Sequence, residues 1–354
     1  MISLRLLHQL VLAISVMKGK QFELGRRGFL LSGLGAGISG MAQGAETGGE
    51  SSEDEGAFAW KRNPNVYHFR IGEVGAWTIS DAFFPLRKGL GLMWPETDRG
   101  EMEALLKREG RVLDSIPLHA NVLVLKAGSE VMLFDSGFGG EGKGSKGWLK
   151  QGLAQIGIRP EQVTAGFLSH AHSDHLNGFV ADEKPLFPNA AFYLLSEELA
   201  FWQGKDPDFS RSKRDAKQIP GMIASVRKHF EILSGNMTVL NDGDEVFGGL
   251  VRVELAPGHT VGHACFRIRS GGAELLHLMD LAHHDLLMFA NPNWTIGFDH
   301  EPKLAVETRK RFWARAATKG TRCYGFHLPW PGVGRILKEN KGYRWAAEPW
   351  EWGL

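Results

Sequence analysis

The chain of 354 residues carries 41 Lys and Arg against 40 Asp and Glu, a formal net charge of +1, with 43% apolar and 23% charged residues. That balance fits a globular chain with a sizeable core, and it excludes long disorder and the electrostatic case for nucleic-acid or polyanion binding. Two cysteines, Cys265 and Cys323, supply neither a disulfide framework nor a cysteine-rich zinc site, whereas the fourteen histidines are unusual.

At the start of the chain, Arg26-Arg27 precede Gly28-Phe29-Leu30-Leu31, a glycine-diluted apolar stretch to Met41, and Ala42-Gln43-Gly44-Ala45. A twin arginine, a mildly apolar run and small residues at its end have the pattern of a Tat-type export signal over residues 1–45, which predicts a periplasmic or secreted protein. The earlier run Leu4–Met17 reads as part of a long signal, as a membrane-proximal segment, or as sequence upstream of a start at Met17. Neither run reaches the roughly 20 uninterrupted apolar residues of a membrane span. Without residues 1–45 the chain keeps 36 bases and 39 acids. Residues 46–56 hold five acids and no base, so 46–65 reads as an acidic linker and 66–354 as one folded domain.

Within that domain, Tyr67–Ile71 and Ala76–Ile79 read as strands. Val122–Lys126 and Val131–Phe134 form a hairpin pattern around Ala127-Gly128-Ser129. Helical spacing covers Gly147–Ile156, and Val163–Leu168 is a strand. Ala191–Leu195 is another strand, followed by a helix through Trp202 and a second helix at Pro220–Leu233. Leu250–Leu255, Ala264–Ile268 and Glu274–Met279 are strands, Pro302–Ala317 is a helix with Arg and Lys outward, and Cys323–Phe326 is a last buried strand. Two runs of strands, each followed by helices, predict an α/β αββα sandwich, with two mixed sheets flanked by helices. The basic stretch Lys205, Arg211, Lys213, Arg214 and Lys217 reads as a solvated loop rather than an anion-binding patch.

The segment Ser169-His170-Ala171-His172-Ser173-Asp174-His175-Leu176-Asn177-Gly178 puts four metal-ligand types in six residues just after a strand. In extended chain, residues two apart point the same way, so His170 and His172 close on one ion, while Asp174 and His175 face a second. Four such groups buried together without a metal would be costly. His259, Asp280 and His327 each follow a predicted strand, the place where loop-borne sites gather. One ion would take His170, His172 and His259, the other Asp174, His175 and His327, with Asp280 bridging. Nitrogen and oxygen donors without cysteine suit two divalent transition-metal ions, zinc first, with manganese, iron or cobalt also compatible. Such a pair would ionise a bridging water near neutral pH. Asp280 and Asp174 are then the catalytic carboxylates, the second passing a proton to the leaving group. Asp135, in Asp135-Ser136-Gly137, is expected to orient a ligand imidazole from behind, with His263 a further supporting residue. Trp202, His283 and Trp294 are the candidate substrate contacts, and His119 is a candidate for the pocket lining.

These motifs, in this order, resemble the metallo-β-lactamase superfamily over roughly residues 66–345. Leu186-Phe187-Pro188-Asn189-Ala190, Gly258-His259-Thr260-Val261-Gly262-His263 and Phe326-His327-Leu328-Pro329-Trp330-Pro331-Gly332 are similar to its methyl parathion hydrolase and quorum-quenching lactonase branch. The resemblance implies the αββα metallo-β-lactamase-like sandwich, a dinuclear site, a homodimer, and hydrolysis of small apolar lactones, esters or phosphotriesters. Four positions depart from the usual pattern: Ser136 for Thr, Asn177 and Met279 for Gly, and Arg335 for His. The tyrosine that small acyl-homoserine lactonases aim at the substrate carbonyl has no counterpart among Tyr67, Tyr193, Tyr324 and Tyr343. The alternatives are a zinc-β-lactamase-like β-lactam hydrolase, which the bridging Asp280 speaks against, and an exported metal-binding protein without catalysis.

Overall fold

The computed structural model describes residues 65–113 and 115–351. The twin-arginine segment and the acidic stretch lie outside the described residues. Asn65, at the end of the expected linker, is already part of the domain. It is buried, and its carbonyl accepts the Ser80 N–H at 2.8 Å.

Two seven-stranded sheets make up the domain. The first is ordered β1 (Val66–Ile71), β2 (Val74–Arg87), β3 (Ser115–Ala127), β4 (Glu130–Phe134), β5 (Ala165–Phe167), β8 (Ala191–Leu195) and β9 (Met237–Leu240). It is antiparallel through β4 and parallel beyond it. A short hairpin, β6 (Val180–Ala181) with β7 (Lys184–Pro185), stands apart. The second sheet runs in chain order: β10 (Glu245–Val246), β11 (Val251–Leu255), β12 (Ala264–Ser270), β13 (Ala273–His277), β14 (Arg322–Tyr324), β15 (Val333–Glu339) and β16 (Gly342–Ala347). Only β13 and β14 pair in parallel there, because α8 (Pro302–Lys319) lies between them in the chain.

The sequence explains the layering. Strand β3 is apolar on both faces, and its residues alternate between two cores: Val122 and Val124 pack on one side, Leu123 and Leu125 on the other. The first side is covered by α3 (Leu149–Gln155) and α6 (Ile219–Leu233), through Leu149, Leu153, Val226 and Phe230. The second faces the other sheet. There Phe167 stacks on Phe134 with centroids 4.8 Å apart, and both meet Phe266 of β12 edge-on at 5.5 and 5.2 Å. In the second sheet Leu275 points into this shared core, and Leu276 points outward beneath Phe312 and Trp313 of α8. Both sheets are thus buried on both faces, and the αββα order follows.

Several expectations change in detail. The strand expected at Glu274–Met279 stops at His277, and Met279–Leu281 form a 3₁₀ turn. The helix expected with its basic residues outward buries Arg309, which donates to the carbonyls of Leu281 and Pro292. Helices α1 (Gly89–Met93) and α2 (Arg99–Arg108) were not anticipated. The second is started by Asp98, whose carboxylate accepts the Glu101 N–H at 2.8 Å. The remaining helices are α4 (Ser173–Leu176), α5 (Ser196–Gln203) and α7 (Leu287–Ala290). No helix among the described residues is long and apolar enough to cross a membrane.

Phe167 joins the two sheets, so truncating it opens a cavity between them. Phe167→Ala is expected to lower the unfolding free energy by about 3–5 kcal/mol, read from urea midpoints. A loss under about 1 kcal/mol would show that the sheets do not depend on this contact.

Candidate metal centre

Most of the chemistry-bearing residues stand just past the C-terminal end of a strand, on one rim of the sandwich. Asp135 follows β4, His170 and His172 follow β5, His259 follows β11, Asp280 follows β13 and His327 follows β14. Asp174 and His175 are carried by α4, the turn of helix that the chain enters directly after His172.

Asp280 is the hub. Its Oδ2 lies 3.6 Å from His170 Nε2, 3.3 Å from His175 Nε2, 3.2 Å from His259 Nε2 and 3.3 Å from His327 Nε2. A fifth imidazole, His283, brings Nε2 to 3.1 Å. Asp174 Oδ2 is 3.6 Å from His175 Nε2 and 3.4 Å from His327 Nε2. His172 enters through its other nitrogen, with Nδ1 2.8 Å from His170 Nε2 and 3.0 Å from His259 Nε2. Among the donor groups the structure gathers are His170, His172, His259 and Asp280, and Asp174, His175 and His327, while Asp280, His283 and His327 form another that shares Asp280 with the first and His327 with the second. All seven expected ligands come together, with Asp280 between the two sets.

Two observations test whether these residues suit a metal. Donors about 2.1 Å from one ion at tetrahedral angles sit about 3.4 Å from each other, the spacing found around Asp280. In addition, His175 Nε2 and Asp280 Oδ1 are buried without a hydrogen-bond partner, an expensive arrangement unless a cation takes their lone pairs. The donor set therefore fits divalent metal.

Electrostatics point the same way. Burial alone would raise the Asp280 carboxyl, yet the surrounding imidazoles, His175 first and then His327, His283 and His170, hold it well below the usual carboxylate range. Burial opposes charge on His175, His259 and His327 too, but Asp280 with Asp174, Asp135 or Asp299 outweighs it and raises all three. Burial keeps His170 and His172 neutral, helped for His170 by His175 and for His172 by Arg214. The cluster thus calls for positive charge around one buried carboxylate.

Four of the five ligand imidazoles are fixed from behind. His175 Nδ1 meets Asp135 Oδ2 at 2.6 Å, and the same carboxylate accepts the Ser169 N–H at 2.7 Å. His327 Nδ1 donates to the His119 carbonyl at 2.6 Å, His170 Nδ1 meets Ser169 Oγ at 2.8 Å, and His259 Nδ1 meets Asp299 Oδ1 at 2.9 Å. These contacts set the ring orientation and leave Nε2 for the cluster. His263 acts on the hub itself: Nδ1 donates to the Ala256 carbonyl at 3.0 Å, and Nε2 accepts the Asp280 N–H at 3.1 Å. Burial pushes its pKa down to about 3, so Nε2 stays an acceptor. Gly258, at φ +126°, lets the turn before His259 press on α8, where a Cβ would fall 2.2 Å from the Ala305 nitrogen.

Above the cluster lies a cavity of about 290 Å³. Its walls include Phe84, Leu86, Leu118, Phe138, Met222 and Phe298, and its polar floor holds Asp174, Asp280, His283, His327 and Arg214. Of the candidate substrate contacts, His283 reaches this cavity and the two tryptophans do not. Trp202 is 1% exposed and gives its Nε1–H to Glu198 at 2.8 Å. Trp294 packs against the outer core of the second sheet. Nor do His119 or the four tyrosines line the cavity. The His119 ring lies against Phe83, with its centroid 4.8 Å away.

Three contributors were missed by the sequence reading. Asp299 lies 40 residues beyond His259, the ring it holds, and no local pattern links them. Glu198 is a buried carboxylate that accepts from Ala171 N, Trp202 Nε1, Thr260 Oγ1 and Gly262 N, tying the His170–His172 segment to the His259 turn. Its one sequence signal is the apolar helix face shared with Trp202 four residues on. Arg214 belongs to the stretch expected to be a solvated loop, yet its Nη2 lies 2.7 Å from His172 Nε2.

Comparison with known proteins agrees with this geometry. Residues 115–313 match the family model described as the metallo-beta-lactamase superfamily. The fold matches the dizinc quorum-quenching lactonase AidC, in complex with a product, N-hexanoyl-L-homoserine, at 27% identity and TM-score 0.77, covering 82% of this chain and 100% of that one. It matches the hydrolase AbOPH of the beta lactamase superfamily at 25% identity and TM-score 0.74, with the same coverage of 82% and 100%. A probable metal-dependent hydrolase from Staphylococcus aureus, at 14% identity and TM-score 0.64, covering 79% of this chain and 99% of that one, shares the fold. No curated protein sequence matches the chain.

The protein should bind two equivalents of zinc, manganese or cobalt by elemental analysis, and Asp280→Ala should keep one or none. Asp299→Ala should weaken one ion by roughly 10- to 100-fold, because His259 loses the acceptor that orients it. Unchanged stoichiometry in Asp280→Ala would remove the hub from the site.

Proposed function

The chain belongs to the metallo-beta-lactamase superfamily, and from that premise we propose that it is a dinuclear metal-dependent hydrolase of small, uncharged lactones, esters or phosphotriesters with apolar tails. The observation that carries the proposal is a single carboxylate oxygen of Asp280 within 3.1–3.6 Å of five imidazole nitrogens at the floor of an apolar cavity. Two donor sets sharing one oxygen are the arrangement that a pair of ions requires. The likeness to a dizinc lactonase supports zinc and supports lactones among the substrates.

His170, His172 and His259 would hold one ion, Asp174, His175 and His327 the other, and Asp280 both. When bound, the pair supplies Lewis acidity that polarises the substrate's carbonyl or phosphoryl oxygen and lowers the pKa of water to near neutral. The other tasks fall to the chain's own side chains. Phe84, Leu86, Leu118 and Phe138 surround the acyl or alkyl part and exclude bulk water, which strengthens every charge interaction at the floor. His283 presents its ring to the cavity beside Asp280, where it can orient the substrate's polar group. Hydrolysis breaks the ester C–O or P–O bond, places the hydroxyl of water on the acyl or phosphoryl centre, and needs a proton on the leaving oxygen. Asp174, partly exposed at the cavity floor, would hold and return that proton, a role supported by its 3.4 Å approach to His327 Nε2. Export by the Tat route and a homodimer belong to the same proposal. The first is supported by Arg26-Arg27 and the segment after them, and the second by the sequence resemblance alone.

The metal-loaded protein should turn over at least one of a γ-lactone, a 4-nitrophenyl ester and a phosphotriester, and a chelator should abolish that activity. Asp280→Asn should lower kcat/KM by about 100-fold or more. Nitrocefin absorbance should not change. Failure of a fully metallated protein on all three substrate classes would overturn the proposal.

A further inference from the structure

The stretch between α5 and α6 carries five cations, and four of them behave as surface charges. Arg211 pairs with Glu301 and Lys213 with Glu96, each at 2.7 Å, and Lys205 and Lys217 are exposed. Arg214 turns the other way. It lines the cavity, donates through Nη2 to His172 Nε2 at 2.7 Å and to the Phe298 carbonyl at 3.4 Å, and sets its guanidinium 5.7 Å from the Phe298 ring centroid. Among the described residues no carboxylate lies within ion-pair distance of it. Asp174, Asp299 and Asp280 act on it only from beyond that distance. A partly buried guanidinium with no carboxylate in contact is costly, and the cost is offset when an anion enters beside it.

We propose that Arg214 is the anion-recognising residue of this cavity, taking the acidic oxygens that hydrolysis creates: the carboxylate of an opened lactone or cleaved ester, or the anion of a phosphodiester. The inference rests on the hydrolase reading above and deepens it by naming the charged ligand and the residue that meets it. The orientation of His172 says when the guanidinium is free. His172 turns Nδ1 to the donor cluster and Nε2 to Arg214. An imidazole that gives its Nδ1 lone pair to a cation carries its proton on Nε2, and that nitrogen then has nothing with which to accept from Arg214. Filling the cluster and keeping the Arg214–His172 hydrogen bond are mutually exclusive. The loaded site therefore releases a planar fork of N–H donors, suited to paired acidic oxygens, at the wall where product forms.

The test is binding without turnover, by calorimetry on metal-loaded protein. The probes are hexanoate and diethyl phosphate, with hexanamide and triethyl phosphate as uncharged controls. Arg214→Gln should weaken at least one of the two anions by about tenfold or more and leave both controls unchanged, and Arg214→Lys should recover part of the loss. Which anion responds identifies the chemistry. Metal content should match the unsubstituted protein in both variants. Two results overturn the proposal. One is both anions binding Arg214→Gln as tightly as the parent. The other is parallel loss of metal, anions and controls, which would make Arg214 a support for His172. Because no catalysis is needed, Arg214-dependent anion binding in a protein that hydrolyses nothing would defeat the hydrolase reading and leave this site standing.

Discussion

One buried negative charge organises the molecule. Asp280 is 3% exposed, at the junction of two sheets, with five imidazole nitrogens around one of its oxygens. A carboxylate in that position costs several kcal/mol unless positive charge meets it. Neutral imidazoles alone cannot meet it, so either protons or metal ions must. Protons satisfy the carboxylate but set like charges on His175, His259 and His327 against one another. Divalent ions satisfy the carboxylate and every lone pair aimed at it. The preference for metal is thus a property of the whole cluster rather than of any one ligand.

The fold makes such a cluster possible because it brings five strand ends to one rim. Both sheets are covered on both faces, so neither can slide relative to its neighbours without exposing apolar surface. Phe134, Phe167 and Phe266 fix the sheets to each other directly beneath the site. Rigidity then passes outward through short polar links. Asp135 holds Ser169 and His175 together, and Glu198 joins the His170–His172 segment to the His259 turn. These two carboxylates, each answered by several donors, convert a packed core into fixed ligand positions.

What the sequence disclosed follows the reach of its signals. Ser169–Gly178 is local: an apolar strand and four donors within six residues leave few readings other than metal. His259, Asp280 and His327 each followed a strand pattern, and it was their recurrence together at that place, not any one of them alone, that pointed to the site. Two runs of strands, each followed by helices, were legible in the sequence, and from their order the αββα architecture. Partners defined only by three-dimensional contact were not legible. Asp299 supports a ring 40 residues away, and Arg214 sits in a charged stretch that any composition rule assigns to solvent. Trp202 and Trp294 show the converse error. An indole near a site in sequence is as well used in the core, and here Glu198 claims the Trp202 N–H. Helix α1, only five residues long, gives too little periodicity to be seen.

The residue before the hub carries a further cost. Met279 has φ +46°, a conformation that a side chain with a Cβ rarely adopts and that glycine takes freely. It is fully buried in the core between the sheets, so its side chain contributes packing that glycine would not. The turn it makes ends β13 and directs Asp280 toward the imidazoles, while the Asp280 N–H is taken by His263. Strain of this kind persists only where the surroundings over-determine it. Here they do: Met279 N–H is held by His277 Nδ1 at 3.2 Å, the Leu278 N–H by the Tyr324 carbonyl at 2.8 Å, and the next residue by His263. The same contacts that enforce an unfavourable backbone at Met279 leave Asp280 a single direction in which to point, so conformational strain and ligand preorganisation are two results of one constraint.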